Sequence, residues 1–140
     1  MDTLYFELIE QLKKHEGFGR EPYPDPIHGW DVPTFGYGFT FIEEEEAEKL
    51  LHNRVRYIKR KLTSILPFFK FEKKIIKHTL VEMAYQMGVS GLLSFQKMLT
   101  AIENKNYTTA YEEALNSKWA VQTPKRAKRV AAQLLKGNCI

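Results

Sequence analysis

Residues 16–40 read EGFGREPYPDPIHGWDVPTFGYGFT, and this stretch decides the fold class. Pro22, Pro24, Pro26 and Pro33, with Gly29, Gly36 and Gly38, punctuate short runs rich in aromatic residues. Proline withholds backbone donors and glycine opens turn conformations, so the segment predicts turns and short strands, not helix. Before it, Leu4, Leu8, Ile9 and Leu12 share one face of a helix expected over 3–15, with Thr3 as its cap and Gly17 as its stop. After it, helical periodicity resumes at about Glu43, where Ala47, Leu50, Leu51, Val55, Ile58 and Leu62 form an apolar stripe that runs out before Pro67. A second stripe, Ile75, Ile76, Leu80, Met83, Ala84 and Met87, ends near Gly88. Shorter helices are expected at about 92–104 and 108–116, and the last begins at Thr123-Pro124 and ends near Gly137. The expected class is α+β with segregated strands: a small β lobe at about 17–42 and a mostly helical lobe at about 43–140, within a single domain spanning 1–140.

The 140 residues suffice for one packed core, and 44% hydrophobic with 27% charged residues read as globular. No apolar run approaches the roughly 18 residues of a membrane span. Met1 to Glu7 carries no basic region followed by an apolar core, so the chain is expected to be made in the cytoplasm without a secretory signal. Cys139 is the single cysteine, and His15, His28, His52 and His78 are too scattered for metal-ligand spacing, so neither metal nor cofactor is expected. The net charge of +4 admits DNA, RNA, anionic lipid or bacterial cell wall as partner. Glu43 to Glu46 sit at a helix start, where negative charge favours the dipole. The basic stretch from Arg54 to Lys61, with Lys70, Lys73, Lys74 and Lys77, is spread around helices and reads as a solvated face that would also attract an anionic polymer. Trp119, Met83 and Met87 read as core.

Two charges stand at the wrong ends of helices. Glu16 ends the first helix, where the dipole disfavours a carboxylate, and Arg126 lies in the first turn of the last, where it disfavours a cation. Two helix ends that meet, with these charges facing, would explain both. A helix terminus and partial burial favour protonated Glu16 while Arg126 favours the ionised form, a balance suited to a general acid. Asp25, in Tyr23-Pro24-Asp25-Pro26, reads as a turn aspartate within reach of solvent. A glycosidase needs two such unlike carboxyls, one giving a proton to the leaving oxygen and one managing water.

Several blocks along the chain resemble the phage-type lysozymes, glycoside hydrolase family 24. They are His15-Glu16-Gly17-Phe18, Thr34-Phe35-Gly36-Tyr37-Gly38, Glu46-Ala47-Glu48-Lys49-Leu50-Leu51, Tyr85-Gln86-Met87-Gly88 with Phe95, Ser117-Lys118-Trp119, and Gln122-Thr123-Pro124-Lys125-Arg126-Ala127-Lys128-Arg129. The ordered series is specific where no single block is. The resemblance implies a lysozyme-like fold with an active-site cleft between lobes and a muramidase acting on bacterial peptidoglycan. The bond would be the β-1,4 linkage between N-acetylmuramic acid and N-acetylglucosamine, cleaved with inversion. It further implies Glu16 as general acid, Asp25 as the base holding the attacking water, Thr34 as its co-positioner, and Arg126 opposite Glu16. Tyr85 and Gln86 match substrate-contact positions. Inversion leaves room for water between carboxyls about 6.5–9.5 Å apart. The implied biology is an endolysin that acts as a monomer, without nucleic acid or membrane insertion, on the wall after release through a separate pore.

Two departures from the family are visible. The stretch between Asp25 and Thr34 is longer and carries His28, Gly29 and Trp30, and Phe39 replaces a histidine after the second glycine. Trp30 is read either as a turn residue folded onto the lobe or as a cleft-rim platform stacking on sugar. Three other functions stay open: a lytic transglycosylase using one acid, a wall-binding module with a dead site, and a basic helical nucleic-acid binder.

Overall fold

A computed structural model describes residues 3–139. The order is helix α1 (Thr3–Glu16), strands β1 (Gly19–Asp25) and β2 (Gly29–Gly36), then α2 (Glu44–Ile65), α3 (Lys74–Met87), α4 (Val89–Leu93), α5 (Gln96–Glu103), α6 (Tyr107–Leu115), α7 (Lys118–Gln122) and α8 (Pro124–Leu135). The fold is α+β, with its strands confined to one antiparallel hairpin. The chain divides into two compact units, Met1–Lys49 and Leu50–Ile140, so the boundary falls inside α2 and not at its start.

In the first unit the hairpin register pairs Gly19 with Gly36, Tyr23 with Thr34, Pro24 with Pro33 and Asp25 with Gly29, with irregularities after Gly19 and at Pro24/Asp25. The second irregularity absorbs the extra residues of the 26–33 stretch. At the end of β2, Phe35 and Phe39 exchange both backbone hydrogen bonds (2.8 and 2.7 Å) around Gly36-Tyr37-Gly38. Gly36 and Gly38 take φ of +60° and +75°, which a side chain would strain. Entry into α2 is fixed locally: the Glu43 N–H donates to Glu46 Oε1 (3.1 Å) and the Glu43 carbonyl accepts the first helical bond from Ala47 (2.9 Å).

The second unit is built around one apolar core, with Leu62, Ile76, Leu80, Met83, Leu92, Ile102 and Leu134 inaccessible to solvent. The expected α2 stripe holds only in its second half. Val55, Ile58 and Leu62 pack into the core, whereas Leu50 and Leu51 stay exposed, because α2 begins packing within this unit only after its first turn there. The helix expected at 92–104 is two helices: Phe95 leaves helical geometry (ψ 58°) while Ser94 donates to the Gly91 carbonyl at 2.6 Å, closing α4. Thr123 precedes α8 as expected, but its hydroxyl does not cap α8. It donates backwards to the Trp119 carbonyl (3.0 Å), closing α7, and Pro124 opens α8 unaided. Trp119 and Met83 are buried and Met87 is half-buried, in line with their reading as core.

A polar cluster sits in this core. Glu72 has a fully buried side chain that accepts from Lys105 Nζ, while the Tyr107 hydroxyl shares its hydrogen between the two carboxylate oxygens (3.0 and 2.9 Å). Lys73 lies over the Tyr107 ring and donates to the carbonyls of Gly137 and Cys139, the latter at 2.8 Å. Gly137 packs so closely on the Tyr107 ring that a Cβ there would come within 2.5–2.7 Å of it. The cluster ties the segment before α3 to the start of α6 and to the C-terminal turn.

Candidate functional site

Glu16, Asp25, Thr34 and Trp30 fall in the first unit, and Tyr85, Gln86 and Arg126 in the second. Glu16 is the last residue of α1, and Gly17 stops the helix with φ +69° while its N–H donates to the Lys13 carbonyl (2.9 Å). The partial burial expected for Glu16 is not found: at the end of α1 it is exposed. Its carboxyl does have a neighbour that the sequence did not suggest. A Cβ built on Gly38 would lie 3.0 Å from Glu16 Cδ and still closer to Oε2. The Gly-x-Gly turn therefore brings bare backbone against the acid, and any side chain at Gly38 would displace it.

Asp25 ends β1 and opens the hairpin turn. Its Oδ1 accepts the N–H groups of Ile27 and His28, both at 2.8 Å. Those bonds, His28 first and Ile27 second, hold the Asp25 carboxyl below its ordinary value. The carboxylate is thus ionised near neutrality, with both of these bonds on Oδ1.

Thr34 lies opposite Tyr23 in the hairpin, and directly opposed residues share a face. Tyr23 and Asp25, two apart on one strand, share it as well. Exposure follows the same division: Tyr23, Asp25 and Thr34 are buried or half-buried, while Pro22, Pro24 and Pro33 are exposed. Thr34 is only 5% exposed, and its hydroxyl donates to the Val32 carbonyl at 3.3 Å. In this orientation the lone pairs of Thr34 Oγ1 are open to a hydrogen from a water beside it. Trp30 is 65% exposed on β2 and is not folded onto the hairpin.

In the second unit Tyr85 is exposed near the end of α3. Gln86 Oε1 accepts the Trp119 indole N–H at 3.0 Å, which fixes the amide and leaves its NH₂ group as the free end. Phe95 meets Trp119 edge-on at 6.1 Å, and both border a groove of about 570 Å³. Arg126 is half-buried in the first turn of α8. Among the described residues no group of three His, Cys, Asp or Glu side chains could hold a metal, and no helix is long and apolar enough to cross a membrane.

Residues 13–136 match the phage lysozyme family model. The chain belongs to the phage lysozyme family. It is similar to probable T4-type lysozyme 1 of Dictyostelium discoideum, 31% identical over 100 residues that make up 69% of this chain and 59% of that protein. The pre-baseplate central spike protein Gp5 of Enterobacteria phage T4 is 34% identical over 100 residues, again 69% of this chain but 17% of that protein. Probable T4-type lysozyme 2 of Dictyostelium discoideum is 46% identical over 54 residues, 39% of this chain and 32% of that protein. The chain therefore matches less than two thirds of the length of each. The phage lysozyme match takes in Glu16, Asp25 and Thr34 as well as Tyr85, Gln86 and Arg126.

Proposed function

We propose that the protein is a muramidase that hydrolyses the β-1,4 bond between N-acetylmuramic acid and N-acetylglucosamine in bacterial peptidoglycan, with inversion. The observation that carries this reading is the arrangement of the hairpin: an Asp25 carboxyl bonded by two backbone N–H groups and the Thr34 hydroxyl on one face, with Glu16 against Gly38 at the end of α1. A water that donates one hydrogen to Asp25 and the other to Thr34 keeps its lone pairs for the anomeric carbon. As its oxygen bonds to that carbon, the glycosidic C–O bond breaks, Glu16 passes its proton to the leaving oxygen and Asp25 takes one from the water. Tyr85, the Gln86 NH₂ group and Trp30 contact the glycan in this reading, with Arg126 as a supporting residue. The enzyme acts as a monomer without cofactor or nucleic acid. It is an endolysin, made in the host cytoplasm and reaching the wall after release through a separate pore.

Digestion of purified peptidoglycan, with the new chain ends identified by mass spectrometry, tests the reaction. Reducing muramic acid ends are expected. Anhydro ends would keep Glu16 as acid and remove the water-handling roles of Asp25 and Thr34, and no cleavage would leave a wall-binding module. Glu16→Gln and Asp25→Asn are each expected to lose activity about 100-fold or more while folding normally. Near-normal turnover in either variant would strip that residue of its role.

A further inference from the structure

The two units carry opposite charge. Residues 1–49 hold 4 Lys and Arg against 12 Asp and Glu, a formal −8, and residues 50–140 hold 17 against 5, a formal +12. Within the second unit the excess is most concentrated on α2. From Lys49 to Phe71 no acidic residue occurs, while Arg54, Arg56, Lys59, Arg60 and Lys61 fall within eight positions, all exposed. Val55, Ile58 and Leu62 form the strip of α2 packed into the core, so the five cations occupy its solvent side and both flanks. The helix dipole explains little of this, because its influence is confined to the last turn, beyond Lys61. Neither do local ion pairs: among the described residues no carboxylate of the helical unit bonds to any of the five, and Glu82 is the one carboxylate lining the α2–α3 groove that Lys59 borders. Glu72 offsets nothing at the surface, since it is buried against Lys105 and Tyr107.

We propose that this face of α2 binds a phosphodiester polymer of the bacterial wall, of the teichoic acid class, and holds the enzyme on its substrate. The proposal rests on the muramidase reading for its setting and on the charge and exposure of α2 for its chemistry. A bilayer fits less well, because Tyr57 is the one large hydrophobic exposed between Leu51 and Ile65 and the apolar side of α2 is already in the core. Single-stranded nucleic acid fits less well too, because bases need bare aromatic platforms and Lys61 sits over the Tyr57 ring at 5.7 Å. A flexible polyanion needs only cations on a curved surface, which the solvent side and flanks of α2 supply.

The test measures binding of fluorescently labelled poly(glycerol phosphate) by anisotropy, using the full chain. If about five phosphates are neutralised, a log–log salt slope near −3.5 is expected, roughly a 100-fold loss of affinity between about 50 and 200 mM salt. The combined variant Arg54→Gln, Arg56→Gln, Lys59→Gln, Arg60→Gln and Lys61→Gln is expected to bind about 30-fold or more weakly at low salt, whereas Lys125→Gln, Lys128→Gln and Arg129→Gln together on α8 cost less than about threefold. Absence of saturable binding at low salt would overturn the proposal. So would an equal loss in the two variants, or tighter binding to duplex DNA or to phosphatidylglycerol vesicles than to the polymer. Hydrolysis is followed separately on peptidoglycan stripped of phosphate polymers, where the α2 variant should match the parent. Failure to cleave that material would count against the muramidase reading and leave the binding result to stand or fall alone.

Discussion

Gly38→Ala separates two consequences of a glycine at a left-handed position. Gly38 has φ +75°, and its missing side chain makes room for the Glu16 carboxyl. An alanine in left-handed conformation costs about 1–2 kcal/mol of backbone strain, enough to lower the thermal midpoint by several degrees. The added methyl also meets Glu16 Cδ at 3.0 Å and Oε2 closer still, so the carboxyl has to swing away by an ångström or so. A misplacement of about 1 Å in a reacting group costs on the order of 100-fold in rate. Gly29→Ala provides the control: φ is +57° there, and nothing lies within 4 Å of the new methyl. Both variants should lose similar stability by thermal melting followed by circular dichroism. In a turbidimetric lysis assay, checked by quantifying reducing ends, Gly38→Ala should fall by about 100-fold and Gly29→Ala by no more than a few fold. Equal turnover in the two variants would refute the idea that bare backbone at Gly38 positions the acid.

The Glu72 cluster makes stability fall at alkaline pH. Burial first, and then the bond to Glu72, raise the Tyr107 hydroxyl above its ordinary 10.0, and the bond to Glu72 raises Lys105 above 10.5. The stability these groups contribute is complete below those values and lost as pH rises through the folded ones; denaturant melts between pH 8 and 11 should show it. Tyr107→Phe should cost about 1.5–3 kcal/mol at neutral pH and flatten that alkaline decline, and an unchanged decline would exclude Tyr107 from it. For Asp25 the sign reverses, because its two N–H bonds keep the carboxylate charged to below its ordinary 3.8. The acid limb of a kcat–pH profile assigned to this base should therefore lie below that value, and a limb well above it would point to another group. Trp30→Ala, at an exposed position, should leave stability within about 0.5 kcal/mol. It should raise KM for glycan by about 3–10-fold if the indole stacks on sugar, and an unchanged KM would reduce Trp30 to a turn residue.

What the sequence disclosed and what it hid divide along the range of the interactions. The hairpin is written locally: Pro22, Pro24 and Pro33 face outward, Gly29 turns the chain, and Asp25 takes the two N–H groups that follow Pro26. The stripe on α3 was equally plain, because four of its residues bury against a core they help to define. By contrast, Glu72 meets Tyr107 35 positions away and Trp119 meets Gln86 33 positions away, and no periodicity reports such a pairing. The break between α4 and α5 was hidden for a related reason, since Leu92, Leu93, Met98 and Leu99 continue an apolar pattern across a backbone that has already turned at Phe95. Gly38 lies between these cases. The Gly-x-Gly pair marked a turn, but its neighbour Glu16 is 22 residues earlier, and only the folded unit joins them.

The hairpin also sets a limit on how Asp25 can work. Bonds that keep a carboxylate ionised also weaken it as a base, because the same two N–H groups that disfavour protonation in the ground state oppose it during the reaction. In the proposed reaction, a base weakened in this way would take its proton from water late, as the glycosidic bond breaks. In that mechanism the part of Asp25 would be to hold the water with Thr34 and to face the positive charge that grows on the anomeric carbon, accepting the proton as the new C–O bond makes that water acidic. Such a division puts the burden of starting the reaction on Glu16, the one carboxyl of the pair whose position rests on a neighbouring glycine and not on a hydrogen-bonded turn. Rigidity thus belongs to the residue that waits. The proposed acid lies against the bare backbone of Gly38, which is why a single methyl there is a sharp probe of this site.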